Sequence, residues 1–194
     1  MSEAALAFDH VACLRGGRLL FEGIGFALGP GEAALAIGPN GAGKSSLLRI
    51  AAGLLDPAAG TVTRTGAVAL SDEQLALDPR LPLADALGFW SRIDRRTPDD
   101  VMTALDVMGI AHLAPVPVRM LSTGQRRRAS LARVIAAGVP IWLLDEPGNG
   151  MDADALDRLG MVIGVHRRSG GIVLAATHQP LILERPLTIT LGAR

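Results

Sequence analysis

Gly38-Pro39-Asn40-Gly41-Ala42-Gly43-Lys44-Ser45-Ser46 fits the pattern G-x-x-x-x-G-K-[ST], and its flanks decide the fold. Ahead of it runs Ala33-Ala34-Leu35-Ala36-Ile37, an apolar segment of strand length bounded by Gly31 and Gly38. Behind it, Leu47, Leu48, Ile50 and Ala51 recur at helical spacing, with Gly53 placed to end the helix. In a strand–turn–helix of this kind, glycines let successive N–H groups point inward and the helix start adds partial positive charge, so the loop cradles phosphate. Lys44 is then placed to reach the β- and γ-phosphates, and the Ser45 hydroxyl to ligate Mg²⁺. Of 19 basic residues, Lys44 is the only lysine. A compact ammonium suits such a cradle, whereas a planar guanidinium fork does not. The chain reads as a binder of a nucleoside triphosphate.

Composition bounds the rest. The 194 residues suit one domain, read as a core over about residues 1–78 and 139–194 with a helical part over about 79–138. An apolar share of 49% with 20% charged residues argues against disorder. The formal net charge of zero gives no support to nucleic-acid binding, which needs a positive excess. Cys13, the lone cysteine, reads as a small buried hydrophobe in a reducing compartment. Acidic Glu3 and Asp9 and the lack of an early basic run read as no signal peptide. The apolar run Val134 to Leu144 holds 11 residues, against the ~20 a membrane span needs. The expectation is a cytoplasmic chain whose membrane association comes through a partner.

In chain order, residues 4–14 and 18–28 read as two strands around the turn Arg15-Gly16-Gly17. After the loop helix, Asp56 to Gly60 punctuates, and β-branched Thr61 to Leu70 reads as one strand. Helices are predicted over residues 83–92 and 98–108, with Pro98 at a first helical position, and another after Gln125 with Ala129, Leu131, Ala132, Ile135 and Ala136 on its apolar side. Ile141-Trp142-Leu143-Leu144 reads as a buried strand, residues 152–167 as a helix, and residues 172–177 and 187–191 as strands. Apolar strands alternating with helices mean a mainly parallel α/β sheet.

The strand ending at Asp145-Glu146 supplies a second nucleotide feature. Asp145 at a strand's C-terminal end is placed to hold Mg²⁺, and Glu146 to orient and deprotonate the attacking water. Leu121-Ser122-Thr123-Gly124-Gln125 resembles the Leu-Ser-Gly-Gly-Gln motif of the ATP-binding-cassette (ABC) ATPases, and the other pieces follow that family's order. The resemblance implies the P-loop NTPase fold of ABC ATPases, with an antiparallel N-terminal β portion and a helical signature subdomain. It makes Gln74 the Q-loop glutamine beside the nucleotide and Mg²⁺, Asp152 the D-loop aspartate and His178 the switch histidine at the γ-phosphate. The ATP contacts are then Gly38, Pro39, Asn40, Gly41, Ala42, Gly43, Lys44, Ser45 and Ser46 from one copy, and Ser122, Gly124 and Gln125 from a second copy packed head-to-tail. Ser122 suits a helix N-cap, so its hydroxyl, the Gly124 N–H and the helix dipole form a second anion site.

Three departures stand out. Thr123 replaces the first signature glycine, Gly148-Asn149-Gly150-Met151 replaces Ser-Ala-Leu ahead of Asp152, and there is no tyrosine to stack on adenine. Arg15 falls at the aromatic's place and either stacks its guanidinium on adenine or is a solvated turn arginine. Arg126-Arg127-Arg128 reads as a solvated or salt-bridged face, and His10, His112 and His166 as ordinary. Met102, Met108 and Met120 read as core filler or a partner-facing surface.

Within the family, Arg15 to Phe21, Trp142 to Pro147, and Gly170-Gly171-Ile172-Val173 leading to Thr177-His178-Gln179-Pro180-Leu181 are similar to the CcmA family of cytochrome c maturation ATPases, conventionally called the haem exporter. That resemblance implies an ATP hydrolase at the inner face of a bacterial cytoplasmic membrane, paired with CcmB-like and CcmC-like membrane subunits. Another small ABC exporter, a soluble non-transport ABC ATPase and a P-loop kinase are the competing readings. The signature motif and Glu146 argue against the kinase.

Overall fold

The structure, a computed structural model, describes residues 3–72, 76–178 and 181–192. Three strands, β1 (Ala5–Arg15), β2 (Arg18–Leu28) and β4 (Ala59–Thr65), form an antiparallel sheet in the order β2-β1-β4. Five more, β3 (Ala33–Ile37), β5 (Val68–Ser71), β6 (Ile141–Asp145), β7 (Ile172–Ala176) and β8 (Leu187–Thr190), pair in parallel in the order β5-β6-β7-β3-β8. The helices are α1 (Lys44–Ala52), α2 (Leu83–Ile93), α3 (Pro98–Val107), α4 (Thr123–Ala137) and α5 (Ala153–Arg168).

Every residue of β6 and β7 is buried, as unbroken apolar runs in a parallel sheet covered on both faces demand. Alternate side chains go to opposite faces. Ile141 and Leu143 pack into a cluster with α1 and the antiparallel sheet. Trp142 and Leu144 pack into the other cluster, with Leu87, Leu105, Val134 and Leu159 of α2, α3, α4 and α5. The parallel sheet is therefore the middle layer, and truncating fully buried Leu143 to Ala costs about 2–5 kcal/mol.

Boundaries follow local chemistry. Thr97 caps α3 in a reciprocal box with Asp100, and Pro98 opens the helix where no N–H partner is needed. The single strand expected over residues 61–70 is instead two, β4 in the antiparallel sheet and β5 in the parallel one. Gly66 breaks it with φ +104°, a conformation open to glycine, and the chain crosses from one layer to the next. Asp152 does not open α5 from within but caps it, accepting from the Ala155 N–H at 2.9 Å. Met108 is fully buried core, whereas Met102 and Met120 are exposed.

Candidate nucleotide site

Strands β6, β7 and β3 are neighbours, so their C-terminal ends form one edge. In register, Asp145 lies beside Ala176 and Ala176 beside Ala36. The glycine-rich loop leaves β3 there, Glu146 leaves β6, and Thr177-His178 leaves β7. This is the crevice where open α/β sheets bind ligands.

The loop is built to receive an anion. Helix α1 begins at Gly43 in a left-handed conformation, with no side-chain cap and no acidic residue in its first turn. Its first N–H groups have no acceptor within the helix, and its dipole is not offset by a carboxylate. A Cβ on Gly43 would sit 2.9 Å from the Phe21 ring, so the antiparallel sheet packs directly on the loop. Lys44 is 7% exposed, and its ammonium donates to the carbonyls of Gly38 at 2.8 Å and Pro39 at 3.2 Å. Pro39, Asn40 and Gly41 are exposed at the rim, Ala42 is buried, and Ser45 and Ser46 are half-buried in the first turn of α1. The Ser46 hydroxyl also bonds the buried Cys13 thiol, whose pKa burial pushes up, keeping it unreactive.

Glu146, at the same strand edge, has an unusual backbone conformation, φ +46°, which a non-glycine residue adopts only when its surroundings hold it. Its N–H donates to the Ala176 carbonyl at 2.7 Å. Its carboxylate lies 2.8 Å from His178 Nδ1 and accepts from the His178 N–H at 3.3 Å. An ionised carboxylate only accepts, so Nδ1 carries a hydrogen, and Nε2 is the ring nitrogen not bonded to Glu146. Asp145 is 3% exposed at the end of β6.

Magnesium prefers oxygen donors and keeps several waters and substrate phosphates in its shell. The Ser45 hydroxyl and the Asp145 carboxylate fit that demand. Among the described residues no cluster of three or more His, Cys, Asp or Glu is placed to hold a metal ion. Gln74 lies outside the described residues.

The second motif is on α4. Ser122 and Gln125 cap it reciprocally: the Ser122 hydroxyl accepts from the Gln125 N–H at 3.3 Å and the Gln125 side chain accepts from the Ser122 N–H at 2.8 Å. The Ser122 hydroxyl hydrogen is left to donate outward. A Cβ on Gly124 would lie 2.7 Å from the Gly150 carbonyl, and one on Gly148 would lie 2.8 Å from Leu156. Gly148 and Gly150 thus fit the segment before Asp152 closely against α4 and α5. Arg15 is exposed at the end of β1, outside the loop's hydrogen bonds.

Two residues depart from their sequence reading. Arg127 is not on a solvated face: it is 9% exposed and donates to the carbonyls of Asp72, Asp145 and Glu146. With Ser130, bonded to Ser71 at 2.8 Å, and Arg133, which donates to the Leu70 carbonyl, it fixes α4 to the end of β5. Their spacing of three along α4, beside Ala129 and Ala132, was the available signal. His166 is not an ordinary surface histidine: its ring stacks on Trp142 at 3.7 Å, and burial pushes its pKa down.

A family model described as "ABC transporter" matches residues 21–149. The chain is 58% identical to the cytochrome c biogenesis ATP-binding export protein CcmA of Sphingopyxis alaskensis, over 92% of each chain. It is 53% identical to the protein of that name from Novosphingobium aromaticivorans, over 98% of this chain and 97% of the relative. Among solved structures, it matches an ATP-binding cassette in a dimeric post-hydrolysis state bound to ADP and Pi, with TM-score 0.81 and 20% identity over 90% of this chain and 88% of that one. It also matches the ATP-binding subunit of an ABC transporter, with TM-score 0.81 and 21% identity over 89% and 79%. These last two bear on the fold alone.

Proposed function

Because the chain belongs to the ABC transporter family of ATP-binding proteins, we propose that it is the ATP-hydrolysing subunit of the haem exporter of cytochrome c-type biogenesis. The observation that carries the chemistry is the Glu146–His178 contact of 2.8 Å at the strand edge that also bears the phosphate loop. The loop N–H groups and Lys44 hold the phosphates, Lys44 exchanging its contacts to Gly38 and Pro39 for phosphate oxygens. Ser45 and Asp145, with Gln74, would hold Mg²⁺, which when bound would neutralise the charge that builds on the phosphates. Glu146 accepts the proton of a water whose oxygen attacks the γ-phosphorus; the bond to the β-bridging oxygen breaks, giving ADP and phosphate. His178 donates from Nε2–H to the γ-phosphate, both ring nitrogens then being donors, while its Nδ1–H holds the Glu146 carboxylate in place. Arg15 lies against the adenine.

Ser122, Gly124 and Gln125 serve the ATP of a second copy packed head-to-tail, and Asp152 lies where the two copies meet. In each copy the part over about residues 79–138 passes this closure to membrane subunits. Among the described residues no helix is long and apolar enough to cross a membrane. CcmB-like and CcmC-like subunits then hold the chain at the cytoplasmic face of the inner membrane.

Glu146→Gln keeps the shape and removes the base, so turnover falls by about 10²–10⁴-fold while ATP binding persists. Unchanged turnover would remove Glu146 from this role. Dimer dependence is read from a dilution series, where specific activity falls with concentration; strict linearity contradicts it. Capture from detergent-solubilised membranes must recover a membrane subunit, and normal c-type cytochromes in cells carrying only Glu146→Gln would sink the exporter assignment.

A further inference from the structure

One buried cation has no task in the hydrolysis described above. Arg127 projects from the second turn of α4, and its guanidinium reaches two separate stretches of chain, at Asp72 and at Asp145-Glu146. Nε donates to the Glu146 carbonyl at 3.0 Å and one terminal nitrogen donates to the Asp72 carbonyl at 3.0 Å. The other terminal nitrogen donates to the carbonyls of Asp145 and Glu146. A rigid fork of five donors can serve several carbonyls at once, which a lysine ammonium on a flexible stem does not reproduce. The peptide it grips is the one that follows Glu146's left-handed φ of +46°. Such a conformation persists only where its surroundings over-determine it. Glu146 is held at three points: its N–H by Ala176, its carboxylate by His178 and its carbonyl by Arg127.

We propose that Arg127 is a positioning residue for ATP hydrolysis, holding the Glu146 peptide so that the carboxylate meets the attacking water and joining that peptide to the helix that carries Ser122 and Gln125. It touches neither phosphate nor water and acts through Glu146. The inference rests on the ATPase reading and adds a residue to it. It also gives a physical route between two sites in one chain, because α4 cannot shift toward another copy's nucleotide without loading the backbone of this copy's base.

The test separates turnover from binding. In Arg127→Met, which keeps the apolar stem, kcat for ATP falls by about 10- to 100-fold, since misplacing a reacting group by an ångström costs about that much. The affinity for a non-hydrolysable ATP analogue stays within about twofold, because no loop contact changes. Arg127→Lys, restoring the charge and part of the hydrogen bonding, recovers part of the rate. Arg126→Met, at an exposed arginine whose side chain bonds only the Arg119 carbonyl among the hydrogen bonds described, leaves kcat unchanged. If Arg127→Met is too unstable to purify, Arg127→Lys and Arg127→Gln carry the same split. A kcat within twofold of wild type in the variants, or a rate loss matched by an equal loss of analogue affinity, overturns the proposal alone. A wild-type chain that turns over no ATP with its membrane partners present overturns the ATPase reading, and this proposal with it.

Discussion

Helix α1 starts at a left-handed glycine with no side-chain cap and no acidic residue in its first turn; α4 starts at Ser122, locked with Gln125 in a reciprocal box. Both carry a motif for phosphate, yet only one leaves its N-terminal groups waiting. The donors of α1 are turned to an external anion, with Lys44 held by loop carbonyls until one arrives. The donors of α4 are partly spent on their own cap, and what remains is a hydroxyl hydrogen and the Gly124 N–H. In the proposed function, the first helix binds nucleotide by itself, and the second adds contacts that count only when a phosphate is already held in place by another copy.

The sharpest way to break this contrast is Lys44→Ala. If α1 is the primary site, turnover falls by about 10²–10³-fold, the scale of losing one donor to a developing anion, and analogue affinity falls with it. Retained affinity in a filter-binding assay would mean that the loop backbone suffices. Ser122→Ala should act differently. It removes the cap, costing about 1 kcal/mol in thermal unfolding, and lowers turnover while leaving nucleotide binding to the isolated chain intact. A drop in binding equal to that of Lys44→Ala would erase the distinction between the two helices.

The smallest effect lies at the far end of the sheet, where His166 stacks on Trp142. Burial lowers its pKa, so the unfolded chain takes up a proton that the folded chain refuses. Stability is full above the ordinary value of about 6.5 and drains as pH falls below it. Thermal melts between about pH 7 and pH 5 should show a falling midpoint, and His166→Gln should flatten that fall. An unchanged slope would place the titration elsewhere. Nucleotide affinity should not follow it, which keeps this end separate from the phosphate edge.

What the sequence revealed follows the range of the forces involved. Strand β3 was legible to the residue, and helix α1 by its period and its stop at Gly53, because an apolar run, a glycine turn and a helical period are local signals. The Asp145-Glu146 pair was legible because it closes a buried apolar strand, whereas His178 was singled out through the family resemblance. The division of residues 61–70 into β4 and β5 was not, since it depends on which partner each half finds, Ala5 to Asp9 on one side and Ile141 to Leu144 on the other. Arg127 and His166 were misread for a related reason. A charged run at a helix start looks solvated until a sheet edge with open carbonyls is packed on it, and a histidine looks ordinary until Trp142 lies flat against it.

A single lysine, 7% exposed and bonded to its own loop, also makes this chain an unusual object for covalent labelling. An amine-selective reagent meets one side-chain target in the entire sequence, and that target sits in the loop proposed to hold the triphosphate. The extent of acylation at Lys44 therefore reports how often the ammonium leaves its carbonyls, and protection by ATP reads site occupancy directly, without a fluorophore or an engineered cysteine.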